Sequence, residues 1–320
     1  MPLLSVQNLS TYYKTLSGYV RAVEDVSFDL EKGEALGLAG ESGCGKTTTA
    51  LSILRLLPSN GEIVKGKIIF KGEDLVTMSE SELRDKIRWK GISLIFQGAM
   101  NALNPVYNIE YQIVEAIRVH EPKVSKKEAK ERVRKLFELV GLDPSRATNY
   151  PHEFSGGMRQ RAMIAMALAC NPDILIADEP GTALDVIVQA QVLKLMKSLK
   201  EKLNLSVIMI THDLSIISET CEKLAVMYAG NLVELGDVTT MFKKPLHPYT
   251  QGLISAFPDI KEKKRKMESI PGSPPNLLKP PPGCRFHPRC KYAMEICRKE
   301  PPQLKEVEKG HFVACHLIGG

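Results

Sequence analysis

The chain has 320 residues, 43% hydrophobic and 25% charged, long for one compact domain and with enough apolar mass for a sizeable buried core. Its longest apolar runs, such as residues 162–170 and 207–210, stop well short of the roughly 18–20 residues a membrane-crossing helix needs. The opening Met1-Pro2-Leu3-Leu4-Ser5 also lacks a basic-then-apolar leader, so an integral membrane or secreted protein is disfavoured and a cytoplasmic chain is expected. The formal charge of +6 belongs to the tail: residues 258–320 hold 13 Lys/Arg against 7 Asp/Glu, while residues 1–257 balance at 30 against 30. The densest run, Lys261, Lys263, Lys264, Arg265 and Lys266, reads as a solvated linker or as a contact for anionic headgroups or nucleic acid.

Ala35-Leu36-Gly37-Leu38-Ala39 reads as a short buried strand, and residues 48–57 as a helix stopped by Pro58. Between them Gly40-Glu41-Ser42-Gly43-Cys44-Gly45-Lys46-Thr47 fits G-x-x-x-x-G-K-[ST]. The glycines let the backbone wrap a polyphosphate, with amides and a helix N-terminus facing the anion. Lys46 adds a point charge for the β- and γ-phosphates, and the Thr47 hydroxyl suits one Mg²⁺ position.

Farther on, residues 92–96 read as a strand followed by Gln97. Residues 125–140 form a charged amphipathic helix with Val133, Leu136, Phe137 and Val140 on its apolar face. Ser155-Gly156-Gly157 then opens a helix over 158–170, a second anion-binding helix start that is surplus within one chain. The apolar run Ile174-Leu175-Ile176-Ala177 suits a strand covered on both faces, with Asp178 emerging from it. Asp178 is the expected second magnesium ligand, and pleating is expected to aim Glu179 at the γ-phosphate, where it can orient an attacking water. A strand over 207–211 leads to His212. Together these residues describe a nucleoside triphosphatase.

Beyond about residue 245 the composition changes. Twelve of the 20 prolines lie from Pro245 onward, and Cys284, Cys290, Cys297 and Cys315 crowd into the last 37 residues. So small a segment is expected to need a covalent or metal staple. Disulfides are rare in a reducing cytoplasm, four free structural thiols so close together are the other alternative, and four thiolates suit zinc or an iron–sulfur cluster, although the C-x₂-C spacing of many zinc sites is missing. His287, His311 and His316 are neighbours of the set.

With its flanks, Phe154-Ser155-Gly156-Gly157-Met158-Arg159-Gln160-Arg161 resembles the signature of the ABC ATP-binding cassette, with Phe154 and Met158 departing from the usual Leu and Gln. Over about residues 3–245 the resemblance implies an α/β fold: an N-terminal antiparallel β-subdomain, a RecA-like parallel core and a helical subdomain near 98–165. It implies two cassettes paired head to tail, each Ser155-Gly156-Gly157 closing over the other's nucleotide. Gln97 matches the Q-loop residue, which reaches Mg²⁺ and water. Gly181-Thr182-Ala183-Leu184-Asp185 resembles the D-loop, with Asp185 facing the partner and Gly181 replacing the usual Ser or Thr. His212 matches the switch histidine, which holds the γ-phosphate and couples to Glu179. Tyr13 matches the adenine-stacking aromatic, with Tyr12 and Tyr19 as rivals. The implied ATP site comprises Tyr13, Ser42, Gly43, Cys44, Gly45, Lys46, Thr47, Thr48, Gln97, Asp178, Glu179 and His212. Within it Lys46, Gln97, Glu179 and His212 are catalytic, and Thr47, Gln97 and Asp178 hold magnesium.

The segment Lys244-Pro245-Leu246-His247-Pro248-Tyr249-Thr250-Gln251-Gly252-Leu253, with Ile270-Pro271-Gly272-Ser273-Pro274-Pro275, resembles the ATPase subunits of dipeptide/oligopeptide permeases, a branch that includes nickel and sugar importers. This implies a 246–320 module beside a 1–245 cassette, placed at the cytoplasmic face of the cell membrane. The implied partners are a paralogous ATPase, two transmembrane permease subunits and an extracytoplasmic solute-binding protein, with no nucleic acid. The resemblance also implies a [4Fe-4S] cluster on Cys284, Cys290, Cys297 and Cys315, with Zn²⁺ as the alternative. Two competing readings are a soluble ABC ATPase acting on nucleic acid or ribosomes, which the basic tail favours, and a redox or metal sensor, which rests on the cysteines alone. The His-Pro-Tyr triplet presents no chemistry in the sequence, and the solute is set by subunits outside this chain.

Overall fold

The computed structural model of the protein describes residues 1–98, 102–182, 184–256 and 270–318. The basic run Lys261–Lys266 and Ala183 of the D-loop segment lie outside the described residues. The chain divides into two units. One consists of Met1–Glu31, Ala35–Val76 and Ile210–Gly320, the other of Lys32–Glu34 and Thr77–Met209.

In the first unit, β1 (Leu4–Thr15) and β2 (Gly18–Leu30) form an antiparallel hairpin closed by the pair Thr15 and Gly18. β4 (Gly61–Phe70) pairs antiparallel with the other edge of β1, and β5 (Glu73–Asp74) extends β4. This is the expected N-terminal antiparallel subdomain. The register of β1 slips between Gln7 and Ser10, where Asn8 stands at φ +48° and Gly66 on β4 at φ +106°. A Cβ at Gly66 would sit 2.6 Å from Leu9 Cα, so the bulge admits only glycine.

The same unit carries β3 (Ala35–Ala39), buried throughout and parallel to β9 (Lys223–Tyr228). β10 (Asn231–Asp237) pairs antiparallel with β9, β12 (His311–Val313) with β10, and β11 (Lys305–Glu308) with β12. The last strands of the chain thus extend the sheet that carries the phosphate loop. What holds the C-terminal segment corrects the expectation of a covalent or metal staple. Phe286 packs edge-on to Tyr228 at 5.1 Å between ring centroids and lies 5.4 Å from Tyr249. All three rings belong to a buried cluster with Leu214, Ile217 and Val226. Buried aromatics contribute both area and edge-to-face attraction, a contribution invisible to a count of apolar residues in the segment alone.

In the second unit β6 (Ile92–Ile95) runs parallel to β7 (Ile174–Asp178), and β8 (Ser206–Ile210) lies beside β7 with all but its last residue in this unit. All of β7 and β8 is buried, as continuous apolar runs predict. The helix expected over 125–140 spans Lys126–Leu139. Ser125 caps it in a reciprocal box with Glu128, and Ala129, Val133, Leu136 and Phe137 are buried. It packs against the helix Ile109–His120, with an ion pair from Lys130 to Glu110 and one from Arg132 to Glu121 just beyond that helix. Among the described residues no helix is long and apolar enough to cross a membrane.

Two helices differ from their expected spans. The one expected over 48–57 is Lys46–Ile53, because Arg55 turns left-handed at φ +50° and ends it before Pro58 can. The one expected over 158–170 is Gly156–Ala167, begun two residues earlier by its Ser155 cap.

Candidate active site

The phosphate loop leaves β3 at Gly40 (φ +146°) and enters its helix at Gly45 (φ +108°). A Cβ at Gly40 would lie 2.2 Å from Met227 O, and one at Gly45 would lie 2.4 Å from Ala22 O, so neither tolerates a side chain. Lys46 is buried; its Nζ donates to Gly40 O at 2.7 Å and Glu41 O at 3.1 Å and lies 3.6 Å from Cys44 Sγ. The ammonium is thus held over the loop by carbonyls. Burial pushes the Cys44 thiol up, so it stays protonated beside Lys46. Ser42 and Gly43 on the loop and Thr47 in the first turn of the helix are exposed.

Of the three tyrosines weighed for adenine, Tyr13 is the one that reaches the loop helix, its hydroxyl donating to Thr48 Oγ1 at 3.2 Å. Tyr12 instead donates to Glu24 at 2.6 Å, and its ring lies 6.5 Å from that of Tyr19. His212 is exposed, two residues before the helix Leu214–Thr220, which Asp213 caps.

In the second unit Gln97 follows β6, and its Nε2 donates to Glu179 Oε2 at 2.8 Å. Thr182 Oγ1 donates to the same oxygen at 2.9 Å. Asp178 is the buried last residue of β7. Glu179 departs from the pleat argument: it lies beyond the strand at φ +48°, so a left-handed bend sets its direction. Thr182 therefore has a part that the sequence did not suggest. Ser155 caps the helix Gly156–Ala167 by accepting from Met158 N at 3.4 Å, and Asp185 caps the helix Val186–Leu203 by accepting from Val188 N at 3.0 Å. The two segments meet at Gly157, where a Cβ would lie 2.5 Å from Val188 Cγ1.

The expected metal cluster is not borne out. Among the described residues, which include all four late cysteines, no group of three or more His, Cys, Asp or Glu side chains could hold a metal ion. The cysteines are neighbours all the same. Burial first, then the thiols of Cys297, Cys315 and Cys290, push Cys284 up to about 11. Burial and then Cys297 raise Cys290, and burial, then Cys290, Cys297 and Glu234, raise Cys315.

The His-Pro-Tyr triplet has a structural explanation. His247 caps the helix Pro248–Ser255 with its Nδ1 accepting from Tyr249 N at 3.0 Å, Pro248 fills the first helical position, and the Tyr249 hydroxyl accepts from Glu41 N at 2.9 Å. Complete burial pushes His247 down to about 3, which keeps the ring neutral and able to accept. Sequence reasoning also missed Arg285 and Arg289. Arg285 pairs with Glu24 and donates to Ala229 O, and Arg289 pairs with Glu41. The signal was their four-residue spacing in Cys284-Arg285-Phe286-His287-Pro288-Arg289-Cys290, a stretch read for its thiols alone.

This architecture matches known proteins. Residues 23–182 match the family model described as ABC transporter, and residues 233–297 match the oligopeptide/dipeptide transporter C-terminal region. A solved dimeric ATP-binding cassette in a post-hydrolysis state, with ADP and Pi bound, is similar with a TM-score of 0.65 at 26% identity, covering 73% of this chain and 98% of that one. The class is therefore an ABC ATPase, an enzyme that hydrolyses ATP. A probable peptide ABC transporter ATP-binding protein of Sinorhizobium fredii is 48% identical over 317 residues, 98% of this chain and 94% of its own. The dipeptide transport ATP-binding protein DppD of Bacillus subtilis is 48% identical over 318 residues, with the same shares covered. The chain belongs to the ATP-binding subunits of the peptide branch of ABC transporters.

Proposed function

We propose that this chain hydrolyses ATP at the cytoplasmic face of the membrane to drive import of di- or oligopeptides. It would act as a 1–245 cassette with a 246–320 module. The observation that carries the reading is the Glu179 carboxylate, oriented by Gln97 and Thr182 through one oxygen. A general base must be held so that it faces its water in one direction.

In this reading the amides of residues 42–48 and the Lys46 ammonium bind the β- and γ-phosphates, and Tyr13 stacks on adenine. Bound magnesium neutralises phosphate charge. The Thr47 hydroxyl, the Asp178 carboxylate and the Gln97 amide oxygen are hard donors suited to it, and Gln97 gives its N–H to Glu179. Glu179 accepts the proton of the attacking water, and His212 holds the γ-phosphate. Ser155, Gly156 and Gly157 of the facing cassette close the site from the other side, and Asp185 faces that cassette while capping its own helix. The dimeric state named for the solved cassette supports this pairing, and a paralogous ATPase is the partner proposed.

The names of the relatives support peptide as cargo, and two permease subunits with an extracytoplasmic binding protein complete the assembly. Closure over ATP moves the permease subunits, and hydrolysis resets them. The test is co-purification of the tagged chain from native membranes. The expected result is recovery with two membrane subunits and a second ATPase; recovery only in the soluble fraction with RNA or DNA contradicts the proposal.

A further inference from the structure

Position 41 is an unconstrained position of the phosphate-loop pattern, yet Glu41 is held on every side. Its N–H donates to the Tyr249 hydroxyl at 2.9 Å. Its carbonyl accepts from Lys46 Nζ at 3.1 Å and from Cys44 N at 3.2 Å. Its carboxylate accepts both terminal nitrogens of Arg289, at 2.6 and 3.0 Å. A carboxylate turned toward a polyphosphate would repel it; this one is turned into the protein and neutralised there.

Arg289 is built into that place. Its side chain is 6% exposed, and its Nε donates to Pro271 O at 2.7 Å. One Nη also donates to the Tyr228 hydroxyl at 3.3 Å, and the guanidinium lies 5.6 Å from the centre of the Tyr228 ring. A planar fork pre-organised by these contacts fixes the direction of the carboxylate it grips, which a lysine could not do. A loop with glycines at positive φ loses much conformational freedom on ordering. A contact that orders it in advance is returned as ligand affinity.

We propose that Arg289 is a positioning residue for the phosphate loop. Acting through Glu41, and assisted by Tyr249, it makes ATP affinity depend on a side chain 248 residues away in sequence. The inference rests on residues 40–47 being the loop that binds ATP. It assigns the C-terminal segment a part in nucleotide binding, with no chemistry at the reacting atoms.

The test is steady-state hydrolysis and MgATP calorimetry on the full chain with its ATPase partner, for Arg289→Gln, Arg289→Lys, Glu41→Gln, the double Glu41→Gln/Arg289→Gln and Lys46→Ala. Arg289→Gln and Glu41→Gln are each expected to raise KM and Kd for MgATP by about tenfold while kcat changes less than about twofold. The double variant should be no worse than either single, because one link is cut in all three, and Arg289→Lys should fall between. Unchanged KM in Glu41→Gln, or additive losses in the double, overturns the proposal even if Arg289→Gln proves too unstable to assay. A fall in melting temperature with KM intact also overturns it, since that is the mark of a purely structural pair. Full MgATP affinity in Lys46→Ala would instead refute the assignment of the loop itself.

Discussion

Gln97 and Glu179 are joined by a 2.8 Å hydrogen bond that ties the residue after β6 to the residue after β7. Both strands are parallel neighbours, so the bond couples two strand ends on one side of the sheet, where α/β folds place their ligands.

If Glu179 is the base, Glu179→Gln keeps the shape and loses the proton acceptor. Hydrolysis should fall by at least about a hundredfold, with MgATP binding retained and an ATP-bound dimer accumulating. Turnover by phosphate release and mass by light scattering check both halves. Normal turnover would mean that another group activates the water.

Gly157 and Val188 set up a steric test of the signature segment. Gly157→Ala brings a methyl to 2.5 Å from Val188 Cγ1, an overpacking that costs roughly 1–3 kcal/mol and displaces the helix start capped by Ser155. ATPase activity should fall while the isolated chain still binds MgATP. Adding Val188→Ala should restore activity, and absence of rescue would separate the two segments.

His247 makes stability depend on pH. The folded ring stays neutral down to about 3, whereas the unfolded ring protonates near 6.5. Above that value neither state binds the proton. As pH falls from about 6.5 toward about 3, only the unfolded chain binds it, so stability declines by up to about 1.4 kcal/mol per unit. The neighbouring titratable groups are Glu234, which accepts His247 N–H at 2.9 Å, and Tyr249; His311 lies 2.8 Å from Glu234. His247→Asn preserves a capping acceptor and should flatten the slope between pH 7 and 5 in urea unfolding. An unaltered slope would place the titration elsewhere.

Phe286 carries the aromatic anchor of the C-terminal segment. Phe286→Ala should cost about 3–5 kcal/mol, read as a lower denaturant midpoint. A change below about 1 kcal/mol would mean that the anchor lies elsewhere.

Much of the site was legible because its motifs are local. Gly40 to Thr47 are one contiguous loop-and-helix-start segment, Asp178 ends an apolar strand, and Ser155 caps the helix it precedes. What was not legible depends on backbone handedness or on distant pairing. The left-handed turn at Glu179 follows from no side-chain pattern. The Arg289–Glu41 pair joins residues 248 apart, and the buried His247 cap shows only when Glu234 and Phe286 are placed around it. The four late cysteines are neighbours in space as in sequence, but the buried contacts that Phe286 and Arg289 make between them depend on partners far away in the chain.

The most direct measurement is light-induced cleavage by vanadate trapped with MgADP in the assembled ATPase, since vanadate occupies the γ-phosphate position and cuts the backbone beside it. The account predicts cuts in this chain at two places, within residues 40–47 and within residues 155–157. The first arises from its own nucleotide and the second from its partner's. Cleavage confined to residues 40–47 at full trapping would contradict a nucleotide shared between two cassettes.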